Sequence, residues 1–210
     1  ELADNAFKVR ICYDETRARL RQKIKGMEAA RSEPYSSVVA DDILIKVLLA
    51  VAATGRTLTK ADVKDAYSKG KRRSEPAYMR MPEAMRSYDD DGTELVFELG
   101  SPLWGEQGAG RDWQDTLHAD LLKLGWKQAE NVPAMYTFDG GATGNCVLVT
   151  IVDDLLFSES SGYAIAERTI AAPRDIYGEV TREREPTSFA GLRLSRDWLR
   201  CALTISMPQT

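Results

Sequence analysis

Two adjacent aspartates interrupt an apolar stretch of the sequence. Residues 147–157 read Val-Leu-Val-Thr-Ile-Val-Asp-Asp-Leu-Leu-Phe, a composition typical of strands buried on both faces. Burying the neighbouring carboxylates of Asp153 and Asp154 is costly unless a positive charge or a tight turn compensates for it. One interpretation is a hairpin turn that exposes both side chains to water. The other is a site for a divalent cation such as Mg²⁺, which prefers hard carboxylate oxygens.

A metal site here would need a third carboxylate from elsewhere in the chain. Adjacent strand residues point to opposite faces, so one aspartate of the pair would meet a metal directly and the other would lie beside it. Asp62 is the candidate, because it ends a short predicted strand that follows a predicted helix. Histidine and cysteine offer little metal chemistry: the chain has one histidine, His118, and its cysteines fit no zinc or disulfide pattern. These cysteines are Cys12, Cys146 and Cys201.

The elements predicted around these aspartates mix helices and strands. Helices are predicted over 15–30, 41–55, 111–126 and 163–177, the second capped by Asp41 or Asp42. Strands are predicted over 7–12, before Asp62, over 147–157, and near 189–194 and 201–206 around a turn at 195–197. Residues 86–93 are predicted to form a solvated turn rather than a calcium loop, whose later ligands are missing. Together these predict an α+β fold with helices on one face of an antiparallel sheet.

Composition and charge narrow the class of protein. A hydrophobic share of 43% and a charged share of 29% are those of an ordinary globular protein. No run of about 18 apolar residues occurs, so we expect no membrane span. The net charge of −4 argues against a general affinity for nucleic acid. Basic residues are nevertheless concentrated in 8–31 and 69–73, and local charge matters more than the sum.

Several segments in a fixed order make the chain similar to the reverse transcriptases of copia-type LTR retrotransposons. Residues 62–70, Asp-Val-Lys-Asp-Ala-Tyr-Ser-Lys-Gly, resemble the motif that carries the family's first catalytic aspartate. Ile151-Val152-Asp153-Asp154 resembles its paired-aspartate box. The other matching segments, in chain order, are 7–11, 45–53, 78–83, 103–105, 111–113, 189–192 and 203–206. Each match alone is weak, but their order makes the resemblance specific.

The resemblance implies a right-hand polymerase fold with fingers and a ferredoxin-like palm, and we expect the thumb to be absent. One domain over 1–210 is expected, with fingers roughly over 1–40 and 67–110. The palm would comprise roughly 41–66 and 111–210.

The implied activity is RNA-directed DNA polymerisation, in which deoxynucleotides are joined to a primer 3′-hydroxyl on an RNA or DNA template. Asp62, Asp153 and Asp154 would be the catalytic residues and would hold two Mg²⁺ ions, for which Mn²⁺ could substitute. The implied nucleotide-binding residues are Lys8, Arg10, Asp65, Tyr67 and Gln107.

Each nucleotide-binding residue has a simpler alternative. Tyr67 would lie under the nucleotide sugar and exclude a 2′-hydroxyl, or it is a packed tyrosine. Lys8 and Arg10 share a strand face and would grip the triphosphate, or they are simply solvated. Asp65 is either a nucleotide ligand or an exposed turn residue. Gln107 lies one place before the family's glutamine, whose position Gly108 fills.

The expected partners are primer-template, deoxynucleotides, and the integrase and ribonuclease H of the same polyprotein, with no membrane. Family members work in cytoplasmic virus-like particles, and their products reach the nucleus. The alternative is a catalytically inactive, host-adopted domain that serves as a structural or binding module. The acidic pI, the altered 107–108 loop and the expected lack of a thumb favour this alternative, whereas the three retained aspartates favour the enzyme.

Overall fold

The structure, a computed structural model, describes residues 38–71, 77–103, 106, 108–160, 162–172, 177–200 and 202–207. Its α-helices are α1 (Asp41–Thr54), α2 (Ala66–Lys69), α3 (Ala109–Lys123) and α4 (Ala164–Ala171). The first strands are β1 (Thr57–Val63), β2 (Ala77–Met79), β3 (Phe97–Leu99), β4 (Lys127–Ala129) and β5 (Val132–Asp139). The remaining strands are β6 (Asn145–Ile151), β7 (Asp154–Glu159), β8 (Val180–Arg184), β9 (Ser188–Phe189), β10 (Leu192–Asp197) and β11 (Ala202–Ser206). The strand predicted over 7–12 and the helix predicted over 15–30 lie outside the described residues.

A six-stranded antiparallel sheet in the order β4-β5-β6-β7-β1-β8 organises the described residues. A three-stranded sheet, β11-β10-β9, and a two-stranded sheet of β2 and β3 accompany it. The mixed α and β elements and antiparallel pairing agree with the predicted class. The division into fingers and palm stays a prediction.

Both faces of the large sheet are covered by hydrophobic side chains. On one face, Leu155 and Phe157 of β7 pack in a cluster with residues of α3 and α4. On the other, Leu156 packs in a cluster with α1 and the three-stranded sheet. Because side chains alternate along a strand, these clusters lie on opposite faces. The prediction that the helices share one face is therefore wrong: α1 lies opposite α3 and α4.

The two ends of α1 can be compared with the predicted N-cap residue and the predicted C-terminal glycine. The helix ends before Gly55, whose φ of 65° is left-handed, as predicted for a glycine at this position. Its N-cap residue is Ala40, which makes no side-chain cap bond, so the prediction that Asp41 or Asp42 caps the helix is wrong. Asp41 and Asp42 lie one and two residues further along, in the first turn, where the helix dipole favours a negative charge.

The remaining predicted elements differ mainly in their bounds. Helix α3 buries Trp113, Leu117 and Leu121 on one side, as its apolar spacing predicts. Helix α4 ends at Ala171, short of the predicted 163–177, and residues 173–176 of that prediction lie outside the described residues. The predicted turn at 195–197 is wrong, because these residues belong to β10 and the turn follows at 198–200. The Asp197 carboxylate accepts N–H groups from that turn, and Arg196 is held by a salt bridge to Glu185, so this polar run is not loop.

The predicted solvated turn over 86–93 is confirmed. Its residues are exposed apart from the partly buried Arg86. The Asp89 carboxylate accepts the backbone N–H groups of Asp91 and Thr93, and Tyr88 pairs with Glu94 across the turn. The carboxylate that suggested a calcium loop is thus used to close the turn.

Candidate active site

The paired aspartates lie at a tight hairpin between β6 and β7. Ile151 and Asp154 are paired across the two strands, so the turn consists of Val152 and Asp153 alone. Val152 has a φ of 57°, a conformation that is costly for a β-branched residue and persists only where the surroundings hold it. The hairpin predicted as the simpler interpretation is thus present. The side chains of this hairpin are not fully exposed, however, because Asp153 and Asp154 are both partly buried.

Two hydrogen bonds to the backbone carbonyls of this turn hold it against neighbouring elements. The indole Nε1–H of Trp113, on α3, donates to the Val152 carbonyl at 2.7 Å. The N–H of Val63, at the end of β1, donates to the Asp153 carbonyl at 3.3 Å. Trp113 has no exposed surface, so its hydrogen bond fixes the turn from within the core. The conformation of Asp153 is therefore set by α3 and β1 together.

Asp62 is brought to the paired aspartates by the register of β1 and β7. Its Cα pairs directly with that of Asp154 in the antiparallel ladder. Directly opposed side chains lie roughly 5 Å apart at Cβ, and like charges in such positions destabilise a sheet. The register thus brings the backbone of Asp62 beside that of Asp154 and next to the turn that carries Asp153. Nothing in hydrophobic packing requires this opposition.

The electrostatics of the site are those of crowded carboxylates. Burial, and then the negative charges of Asp62 and Asp154, raise the pKa of Asp153 above its ordinary value. Lys60, two residues before Asp62 on the same strand face, places its Nζ 3.1 Å from Asp154 Oδ1. The three aspartates thus share one partly buried region with this lysine.

A cleft of about 470 Å³ opens beside these residues. It is lined by Lys60, Ala61, Asp62, Asp154, Thr181, Arg182 and Glu183. The cleft lies along β1, β7 and β8, so the opposed aspartates face an open space large enough for a small ligand.

The nucleotide-binding candidates have mixed outcomes. Tyr67, in α2, is partly buried and packs against the core on the α3 side. Burial and then the negative charge of Asp153 raise the pKa of the Tyr67 phenol above its ordinary value. Asp65 precedes α2 with a φ of 55° and is exposed, as expected of a turn residue. Lys8, Arg10 and Gln107 lie outside the described residues.

The three aspartates suit a divalent metal in their chemistry. They supply hard carboxylate oxygens of the kind that Mg²⁺ prefers, and they lie together at the end of two paired strands. Within the described residues, however, no three or more Asp, Glu, His or Cys side chains are already gathered around one point. The donors fit in type and position, but their side chains are not drawn together.

Sequence reasoning missed three residues that shape this site: Lys60, Trp113 and Gly70. Lys60 had a weak signal, since a residue two places from Asp62 shares its strand face. Gly70 allows the segment after Asp62 to approach α3 closely: a Cβ there would lie 2.8 Å from the backbone N of Trp113. Neither this approach nor the Trp113 hydrogen bond could be foreseen without the packing of α3.

The sequence was compared with models of known protein families. It matches the family described as reverse transcriptase (RNA-dependent DNA polymerase) over residues 7–169. The chain belongs to this reverse transcriptase family. A search of curated proteins found no match.

The match to the reverse transcriptase family covers the candidate catalytic and nucleotide-binding residues that the structure describes, but not the β8 side of the cleft. Asp62, Asp65, Tyr67, Asp153 and Asp154 all lie within residues 7–169, and so does α3. Strands β8 to β11 lie beyond the matched residues. In the described part of this reverse transcriptase domain, no helix is long and apolar enough to cross a membrane.

Proposed function

We propose that this domain is the RNA-directed DNA polymerase of a copia-type retrotransposon, built as the fingers and ferredoxin-like palm of a right-hand polymerase. It would add deoxynucleotides to a primer 3′-hydroxyl on an RNA or DNA template. The observation that carries the proposal is the opposition of Asp62 and Asp154 beside Asp153, because a sheet gains no stability from such an arrangement. Membership of the reverse transcriptase family supports it.

Asp62, Asp153 and Asp154 would hold two Mg²⁺ ions, with Mn²⁺ as a substitute. When bound, the metal supplies charge neutralisation for the triphosphate and a more acidic primer hydroxyl. The protein's contribution is positional. Trp113 and Val63 fix the backbone of the turn, and burial keeps the Asp153 carboxylate in surroundings where its interactions are stronger than in water.

Tyr67 would select deoxynucleotides by blocking a 2′-hydroxyl. Its partly buried ring, whose phenol has a pKa raised by burial and then by the charge of Asp153, is consistent with a rigid wall beside the reacting groups. Lys8, Arg10, Asp65 and Gln107 complete the proposed nucleotide-binding set. The proposed partners are primer-template and deoxynucleotides, with integrase and ribonuclease H from the same polyprotein. Cytoplasmic virus-like particles, with products passing to the nucleus, would be the setting.

A second candidate function is that of a host-adopted binding or structural module without catalysis. The observation that favours it is the salt bridge between Lys60 and Asp154, which places a fixed positive charge beside the carboxylates. The net charge of −4 also weakens a general affinity for nucleic acid.

Primer extension with Mg²⁺ separates these two functions. The wild-type chain is compared with Asp153→Asn and with Asp90→Asn, an identical change in the exposed 86–93 turn. We expect Asp153→Asn to lower extension on the order of 10³-fold, because several kcal/mol of charge stabilisation is lost. Asp90→Asn should extend at the wild-type rate. Wild-type protein that is folded but extends no primer would instead support the binding module.

A further inference from the structure

Lys60 is an unusual residue for its position. It lies in the middle of β1, on the face that is otherwise occupied by Leu58 and Asp62, and its side chain is only 26% exposed. Its Nζ lies 6.0 Å from the centre of the ring of the buried Phe189. A lysine held this way loses side-chain freedom and part of its hydration. Some specific interaction must offset that cost.

The ammonium group of Lys60 is paired with Asp154 rather than with the carboxylate of the residue directly across from it. Directly across from Lys60 on β8 is Glu183, and across on β7 is Leu156. The salt bridge is nevertheless made diagonally, to Asp154 at 3.1 Å, and both partners are only partly exposed. Arg182, the other cation lining the cleft, is paired with Glu167 on α4. Among the described residues that line the cleft, Lys60 is therefore the cation that forms a salt bridge with a carboxylate of the candidate site.

The salt bridge from Lys60 has to be considered together with the arrangement of the three aspartates. Asp62 and Asp154 are opposed, and Asp153 adjoins them in the turn, yet the side chains of the described residues are not gathered into a metal-ligating group. A positive charge that attracts Asp154 reduces its repulsion from Asp62 and at the same time removes one carboxylate from the set that is free to bind a cation. The two effects have the same origin in one salt bridge.

We propose that Lys60 is a positioning residue that holds Asp154 apart from Asp62 and Asp153 and so limits the affinity of the site for divalent cations. The inference rests on the proposed function, because it assumes that these aspartates bind the metal. Lys60 would thus make metal binding weak enough to depend on an incoming triphosphate, which brings its own charge. The ordinary alternative is a salt bridge that only stabilises the sheet.

The test measures Mn²⁺ binding directly, from the loss of the free-ion electron paramagnetic resonance signal, without nucleotide or primer. Wild type is compared with Lys60→Met, which keeps the apolar stem against Phe189 but removes the charge, and with Lys60→Arg, which keeps the charge. Lys46→Met is the matched control, because Lys46 forms a salt bridge with Asp42 on the exposed surface of α1. Asp62→Asn reports whether binding occurs at this site.

We expect Lys60→Met to bind Mn²⁺ on the order of tenfold more tightly, since one positive charge near the ion is removed. Lys60→Arg and Lys46→Met should keep the wild-type affinity. Primer extension by Lys60→Met should reach its half-maximal rate at a lower Mg²⁺ concentration than wild type. A salt bridge with only a structural role would lower the melting temperature of Lys60→Met and leave its Mn²⁺ affinity unchanged, which would overturn the proposal.

Failure of this inference and failure of the proposed function give different results. In one outcome, wild type binds Mn²⁺, Asp62→Asn does not, and Lys60→Met binds with the wild-type affinity. This outcome overturns the role of Lys60 but leaves the proposed metal site intact. Wild type and Lys60→Met that both bind no Mn²⁺ overturn the proposed metal site and, with it, this inference. Binding that appears only in Lys60→Met supports the role of Lys60 and argues for the module that has lost catalysis.

Discussion

Strand β7 begins and ends with a carboxylate, and the two ends treat that group in opposite ways. Glu159, at the end, is 1% exposed and accepts the backbone N–H groups of Ile165 and Ala166 in the first turn of α4, at 3.0 to 3.2 Å. Its charge is thus met by hydrogen bonds and by the helix dipole. Asp154, at the start, is opposed to Asp62, follows Asp153, and has Lys60 as its cationic partner.

This difference separates a carboxylate that stabilises the fold from carboxylates whose mutual repulsion the fold compensates only in part. The fold supplies everything that Glu159 needs, although it is the more deeply buried of the two. At the other end of the same strand, the fold brings three like charges together and compensates them only in part. A carboxylate whose partners are incomplete within the protein is the better candidate for an external cation.

The largest effect on stability is expected from Glu159→Ala. This change leaves the first N–H groups of α4 unpaired inside the protein, which should cost about 3 kcal/mol of the free energy of unfolding. Glu159→Gln keeps one acceptor oxygen and should cost about 1 kcal/mol. Urea denaturation measures both.

The matched change at the other end of the strand is Asp62→Asn. It should leave the free energy of unfolding unchanged or slightly higher, because it removes a like charge opposite Asp154. If Asp62→Asn destabilised the domain as much as Glu159→Ala, both ends would be structural and the comparison would fail.

A smaller effect is expected when the tether of the turn is removed. Trp113→Phe deletes the indole N–H that donates to Val152, and should cost about 1 kcal/mol of stability. Primer extension should fall several-fold, because the backbone of Asp153 loses one of its two tethers. Trp126→Phe is the control: Trp126 is also buried and donates to Thr169 on α4, at 3.1 Å. Equal losses of extension in both variants would contradict a specific role for Trp113.

The smallest expected effect is on the pH dependence of the free energy of unfolding, through the ionisation of Asp153 in metal-free buffer. Its folded-state pKa is raised, so the native protein binds this proton more tightly than the unfolded chain does. Ionised Asp153 therefore lowers stability above its folded pKa, and this cost disappears as the pH falls below the ordinary aspartate value. The stability gained by Asp153→Asn should be below about 1 kcal/mol at pH 7 and should shrink toward about pH 4. Asp90→Asn should show no such trend in parallel urea titrations.

The sequence indicated where the candidate site lies, because an aspartate pair inside an apolar run and an aspartate at the end of a predicted strand are local patterns. A polar pair inside an apolar run indicated either a turn or a metal site, and the structure contains a turn whose aspartates are only partly buried. Asp62 was the candidate because it ends a short predicted strand after a predicted helix, and the resemblance then matched it to the family's first catalytic aspartate. Lys60 could not be assigned a partner, because the choice between Glu183 and Asp154 depends on strand register.

The misplaced elements have equally physical causes. Residues 147–157 are apolar on both sides, and this pattern requires cover on both faces of the sheet. The expectation of helices on one face ignored that requirement, and α1 supplies part of the second cover. The polar run Ser195-Arg196-Asp197 suggested a turn. In the structure Arg196 forms a salt bridge with Glu185, and the Asp197 carboxylate accepts the N–H of Leu199.

The hydrogen bond from Trp113 to Val152 links helix α3 to the turn that carries Asp153. Helix α3 starts at Ala109, and Trp113 lies about one helical turn further along. A tilt of α3 moves the indole, and a 2.7 Å bond carries that movement to the carbonyl just before Asp153. A displacement of the start of α3 would therefore act on the backbone of Asp153 through this hydrogen bond, without a direct contact to the carboxylate.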